Sequence, residues 1–176
     1  AHWDGRRWTK IESGTNVSIN DIWGVIDERS GKSLILCAAS NILEKGEHKI
    51  LRINENFRVD TIPWFGENRR IHSIWFIDEK LIFTSGGGVF IRRFNSQWRE
   101  VTEIPLYYTS RIRGNNINDI FVVGHFGLVS HFNGLNWRLY LEVARGLYYS
   151  CDYKDNIMVA VGGRNARAVI LMMRKR

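Results

Sequence analysis

The stretch INDIWGVID, Ile19 to Asp27, is short, β-branched and aromatic, and the chain spells nearly the same thing twice more: IHSIWFID begins at Ile71 and INDIFVVG at Ile117. A motif that returns within one chain of 176 residues marks a structural unit, so the period comes before any single element. Each copy of Ile-x-x-Ile-aromatic runs on into further apolar residues, as a strand buried on both faces would. The motif is therefore expected on an inner strand of each unit. In the third copy it leads straight into a second strand, and SRIRGN, Ser110 to Asn115, supplies the first.

Other markers recur in step with it. FRVDTIP (Phe57 to Pro63) and WREVTEIP (Trp98 to Pro105) share an aromatic start and an Ile-Pro end, and WTKI at Trp8 and WRLY at Trp137 open in the same way. Turn residues precede each aromatic: Asp4-Gly5, Asn56, Asn95-Ser96 and Asn133-Gly134. Asp-Gly and Asn-Gly accept positive φ at low cost, so each aromatic is expected to open a strand just after a hairpin. Between the turns lie further strand-like runs, such as KSLILCAAS then HKILRIN, KLIFTSGGG then GVFIRRF, and NIMVAVGGR then RAVILMMRK. No segment carries helical periodicity with caps over the ~10 residues a helix requires.

The chain thus reads as all-β, a β-propeller of four-stranded antiparallel blades of about 40 to 50 residues each, with about four blades present. The boundaries follow the markers. Residues 1–13 give the outer strand of a shared blade, 14–64, 65–106 and 107–143 three complete blades, and 144–176 three strands of a last blade. The strand type left over at the start is the one missing at the end, so the termini are expected to share a sheet if the ring closes. AHWDGRRW also opens in mid-motif without an initiator Met, which favours upstream blades of the same protein, or a second copy of the chain, as the element that completes the last blade.

NDIFVVGHFGLVSHFNGLNW, from Asn118 to Trp137, resembles bacterial propeller repeats that read Asp-Ile-aromatic-x-Val-Gly, a short Gly turn, and an apolar strand ending in Asp/Asn-Gly-x-x-Trp. Those repeats are similar in style to the propellers of photosystem II assembly factors and Asp-box sialidases. The chain departs from the Asp-box spelling, Ser-x-Asp-x-Gly-x-x-Trp, at HWDGRRW, where Gly follows Asp directly. The resemblance implies a bacterial, extracytoplasmic or cell-surface protein; composition carries no such information.

Composition excludes other classes. At 44% hydrophobic the chain can build a core, and no apolar run approaches the ~18 residues of a membrane span, so membrane insertion is not expected. Cys37 and Cys151 sit in apolar runs without metal-ligand spacing and read as buried free thiols. The net charge of +7 favours acidic partners, but the basic residues are scattered as doublets and gather only at the C-terminal RKR, which disfavours nucleic acid. Gly86-Gly87-Gly88 has no following Lys-Ser/Thr and no helix, and reads as a tight inter-strand turn rather than a phosphate cradle. No cofactor, metal site or catalytic residue is assigned; His125 and His131 flank a turn but lack a third ligand.

One constellation stands out. The connectors between blades carry paired aromatics followed or preceded by arginines: PWFGENRR (Pro63 to Arg70), PLYYTSRIR (Pro105 to Arg113) and ARGLYYSCDY (Ala144 to Tyr153). In a meander these connectors recur on one rim, and aromatic planes beside guanidinium donors suit a sugar, an acidic peptide or a nucleic-acid base. Trp64, Arg69, Tyr107, Tyr108, Arg111, Arg113, Tyr148 and Tyr149 are the expected ligand-binding residues. The expected function is a non-enzymatic binding or scaffold module for a protein or glycan ligand. The alternative is part of a glycan-acting enzyme, sialidase-like or another glycoside hydrolase.

Overall fold

In the computed structural model the protein is built almost wholly of antiparallel strands, and residues 1–28, 30–41, 47–64, 69–94, 96–143 and 145–175 are described. β1 (His2–Trp3) and β2 (Trp8–Thr9) form a hairpin. Three four-stranded sheets follow: β3 (Ile19–Ile26) to β6 (Val59–Ile62), β7 (Ile71–Phe76) to β10 (Trp98–Glu100), and β11 (Thr109–Asn116) to β14 (Trp137–Leu139). The chain then adds β15 (Leu147–Lys154), β16 (Ile157–Arg164) and β17 (Arg167–Arg174). The second strands of the complete sheets are β4 (Ser33–Ser40), β8 (Leu81–Gly86) and β12 (Asp119–Gly124), and the third are β5 (His48–Ile53), β9 (Gly88–Arg93) and β13 (Val129–Phe132). Within each sheet, strands pair in chain order. The only helical turn among the described residues is a single 3-10 turn at His125–Gly127.

The opening motif falls on β3 and β7, the first strands of their sheets, while INDIFVVG crosses the turn into β12 and leaves β11 as the first strand. Trp98 and Trp137 each begin the fourth strand of their sheet, and Trp8 begins the second strand of the N-terminal hairpin. The turn before Trp137 is held by Asn133 Oδ1, which accepts from the amides of Leu135 and Asn136 at 2.9 and 3.0 Å. Asp4 Oδ1 does the same for Arg6 and Arg7, at 2.8 and 2.9 Å. Residues 1–13 therefore fold as two strands where the sequence suggested one, because a short acceptor at the turn closes Trp3 onto Trp8. That hairpin and β17 do not share a sheet: β17 pairs only with β16. The Asn95 turn and the Ala144 boundary lie outside the described residues.

Alternation along the strands puts each residue set into one inter-sheet layer. Leu36, Ala38 and Ile50 meet Ile74, Phe76 and Ile82 between the first and second complete sheets. Trp75, Phe83 and Val89 meet Ile112, Ile120 and Val122 between the second and third. Phe121, Val123 and Val129 meet Tyr148, Cys151 and Met158 before the last. Inner strands of the second and third complete sheets serve two layers, as β12 does through Val122 and Val123, which is why those sheets are apolar on both faces. The two cysteines are free and buried, and burial pushes the thiols up, Cys37 to about 11 and Cys151 to about 12. Among the described residues no helix is long and apolar enough to cross a membrane.

Antiparallel order also sorts the loops. Connectors between sheets and the turns between second and third strands share one rim, while the turns joining strands one to two and three to four share the other. On the first rim the two kinds of loop are tied together: Gly87 N donates to Arg70 O and His125 N to Tyr108 O, both at 2.9 Å. Gly86 and Gly124 end their second strands, and Gly162 lies near the end of β16, each where the adjacent first strand begins, and a Cβ on any of them would collide with the carbonyl oxygen of Arg70, Tyr108 or Leu147 respectively. Only glycine allows that approach.

Candidate binding site

Every first strand carries a register irregularity near its start, followed by Asp21, Ser73, Arg111 or Ser150 as the sheet resumes. These four positions are equivalent, and three of them meet. Ser73 Oγ donates to Asp21 Oδ2 at 2.5 Å, and the amide of Ile74 donates to the same oxygen at 3.1 Å. Arg113 forms a two-pronged pair with the carboxylate, Nη1 to Oδ2 and Nη2 to Oδ1, each at 2.9 Å, and Arg111 Nη1 bonds Oδ1. Arg113 also lies 4.8 Å over the Trp23 ring and donates to Ile112 O at 2.8 Å. Burial works to raise the Asp21 carboxyl, but the Arg113 and Ser73 hydrogen bonds and the two guanidinium charges outweigh it and hold it below its ordinary value.

The eight expected ligand residues divide among three settings. Arg111 and Arg113 belong to this hub, their charge committed to Asp21. Trp64 and Tyr148 are packing residues. Trp64 sits edge-on to Phe90 and Trp98 at 5.1 and 5.0 Å, and Tyr148 is 0% exposed in the last layer. The other four stand on the connector rim: Arg69 bonds Gly87 O and faces Glu100 at 3.6 Å. Tyr108 lies between the rings of His72 and His125, Tyr107 lies against Phe126 at 5.1 Å, and Tyr149 is 56% exposed beside its buried neighbour. Strand alternation explains why Tyr148 and Tyr149 part company. Phe65 to Asn68 of the first connector lie outside the described residues.

A groove of about 1020 Å³ opens on this rim between the third complete sheet and the last. Tyr107, Phe126 and Tyr140 line one side, the backbone of Gly146, Gly162 and Gly163 forms part of its wall, and Arg145, Arg164 and Arg167 stand around it. Phe126 is 71% exposed and holds φ 57°, ψ 24°, a left-handed conformation uncommon for a bulky residue. The turn leaves its ring in solvent. Arg164 and Arg167 flank the two-residue turn Asn165-Ala166, both of positive φ, and face each other across it. Sequence reading missed Phe126 and these arginines because they lie outside the paired-aromatic connectors, except Arg145; GHFG beside the repeat was the available signal.

His131 and His125 do not approach each other as partners: His131 Nε2 pairs with Asp119 Oδ1 at 2.6 Å, and Asp119 also accepts from Tyr153 at 2.8 Å and faces Lys175. Among the described residues no three His, Cys, Asp or Glu groups gather closely enough to hold a metal ion.

Sheets of four strands in meander order, packed face to face around inner strands that meet through a shared polar hub, define a propeller-like fold. Two solved structures are similar to it. YCF48 bound to D1 peptide matches at 13% identity with a TM-score of 0.68 over 96% of this chain and 56% of that one. The computationally designed Ika4 protein matches at 11% identity and a TM-score of 0.61, over 95% of this chain and 99% of that one. The chain thus spans about half the length of the YCF48 chain. No family model matches the sequence, and no curated protein matches it.

Proposed function

We propose that the chain is a binding module that takes a segment of another protein on its connector rim. The observation that carries this reading is the rim itself, where exposed Tyr107, Phe126 and Tyr149 stand beside arginines that have no carboxylate partner among the described residues. Aromatic faces give contact area at small entropy cost, and guanidinium groups give directional donors. Of the residues expected from sequence, Arg69, Tyr107, Tyr108 and Tyr149 are assigned to contact the ligand, and Arg111 and Arg113 to hold the inner strands in place. The neighbour in fold that carries a peptide supports a protein ligand over a glycan. The test is a screen of immobilised peptides and glycans with a hydrolysis assay on the same panel. Binding of peptides without turnover is expected; turnover of any glycan by the purified chain would reject the reading in favour of a glycan-acting enzyme.

A further inference from the structure

We infer that the groove between the third complete sheet and the last is a docking channel for an acidic peptide in extended form, one that pairs Asp or Glu side chains with a large apolar residue. This inference rests on the binding-module reading and adds the occupant's chemistry and place. Three features of the groove carry it. Arg145, Arg164 and Arg167 line it, all exposed and none in an ion pair among the described residues, and no acidic residue lines it with them. The nearest carboxylate along that connector, Glu142, is turned to Arg138 at 3.8 Å. The groove's charge is therefore of one sign and unanswered, and an acidic ligand is the complement.

The second feature is apolar. Phe126 is held outward by a left-handed backbone, and with Tyr107 it makes a two-ring surface beside the arginines. Bulky residues are kept in that conformation only where surrounding structure imposes it, and such positions concentrate at ligand sites. Here the imposed geometry comes from the neighbouring glycines: Gly127 N donates to Gly146 O at 2.6 Å, and Gly124 is pressed against Tyr108 O. The third feature is the wall, where Gly146, Gly162 and Gly163 line the groove without side chains of their own, so an extended ligand meets main chain there and not a bulky group.

The experiment selects binders from a random dodecamer peptide library on the full chain, then measures the synthetic winners by fluorescence anisotropy. The winners should be rich in Asp and Glu around Phe, Trp or Leu. Their affinity should fall at least tenfold in R164E/R167E and stay within twofold in R99E, which changes an exposed arginine on the outer strand of another sheet. A second variant, F126G, relieves the left-handed strain, so its melting temperature should hold or rise while affinity falls several-fold. It keeps the test decisive if R164E/R167E folds poorly. Winners without acidic residues, or winners indifferent to both R164E/R167E and F126G, would overturn the groove and leave the module reading standing. Recovery of no binder at all would overturn the module reading, and this inference with it.

Discussion

Asp21 joins three first strands at once. Its buried carboxylate is reached from the second sheet by Ser73 and Ile74 and from the third by Arg111 and Arg113. Removing one partner of a buried ion pair leaves the others charged and unanswered, so Asp21→Ala should cost about 3 to 5 kcal/mol, measured by denaturant unfolding. In a double-mutant cycle Arg113→Ala should cost much less on the Asp21→Ala background than on the wild type. Because the folded carboxyl lies below its ordinary value of 3.8, its stabilisation is present above that value and is lost as pH falls through the folded one. The wild type should therefore lose stability steeply below about pH 4, more steeply than Asp21→Ala; parallel curves would contradict the hub. The thiols make a separate check at this scale. With Cys37 and Cys151 buried and pushed to about 11 and 12, neither should react with a thiol reagent at pH 8 until the chain unfolds. The sequence did not disclose the hub, since Asp21 and Arg111 stand 90 residues apart and only the equivalence of their register positions links them.

Elements were far more legible. Ile-x-x-Ile-aromatic, the Asp-Gly and Asn-Gly turns and the aromatic openings all act locally, within one strand or hairpin, so one sequence is enough to place β3, β7, β10, β12 and β14. What escaped was a matter of tertiary direction: Tyr148 and Tyr149 look alike in sequence, yet alternation buries the first and exposes the second. The recurrent glycines bridge the two kinds of information. Gly124→Ala and Gly162→Ala each force a Cβ onto a neighbouring backbone oxygen and should cost about 1 to 3 kcal/mol by denaturant unfolding. Trp137 and Trp98 are half-buried and pack on Phe132 and Trp64, whereas Trp8 is 70% exposed. Truncating Trp137 to Ala should therefore shift the denaturant midpoint clearly, and Trp8→Ala should leave it within the ~0.5 kcal/mol typical of surface sites.

At the scale of the molecule, the sheets differ in how they are covered. The second and third complete sheets are packed on both faces, while Ile22 and Ile26 on the first sheet and Ile170 and Met172 on the last are open to solvent. A charge should accordingly be tolerated at Ile170 and not at Ile112, which is fully buried in the middle layer: Ile170→Lys within about 0.5 kcal/mol, Ile112→Lys severe enough to unfold the chain. The proposed binding surface rests on loop sorting by antiparallel order, which directs the connectors and the second-to-third turns to one rim. Hydrogen exchange of the chain with and without a selected acidic peptide tests that claim most directly. Protection should concentrate at Phe126–Gly127, across the connector into β15 as far as Tyr149, and around the turn between β16 and β17, from Gly162 to Ala168. Protection centred instead on the opposite rim, at the turns around Asp27–Lys32, Asp78–Lys80 or Asn133–Asn136, would contradict the account.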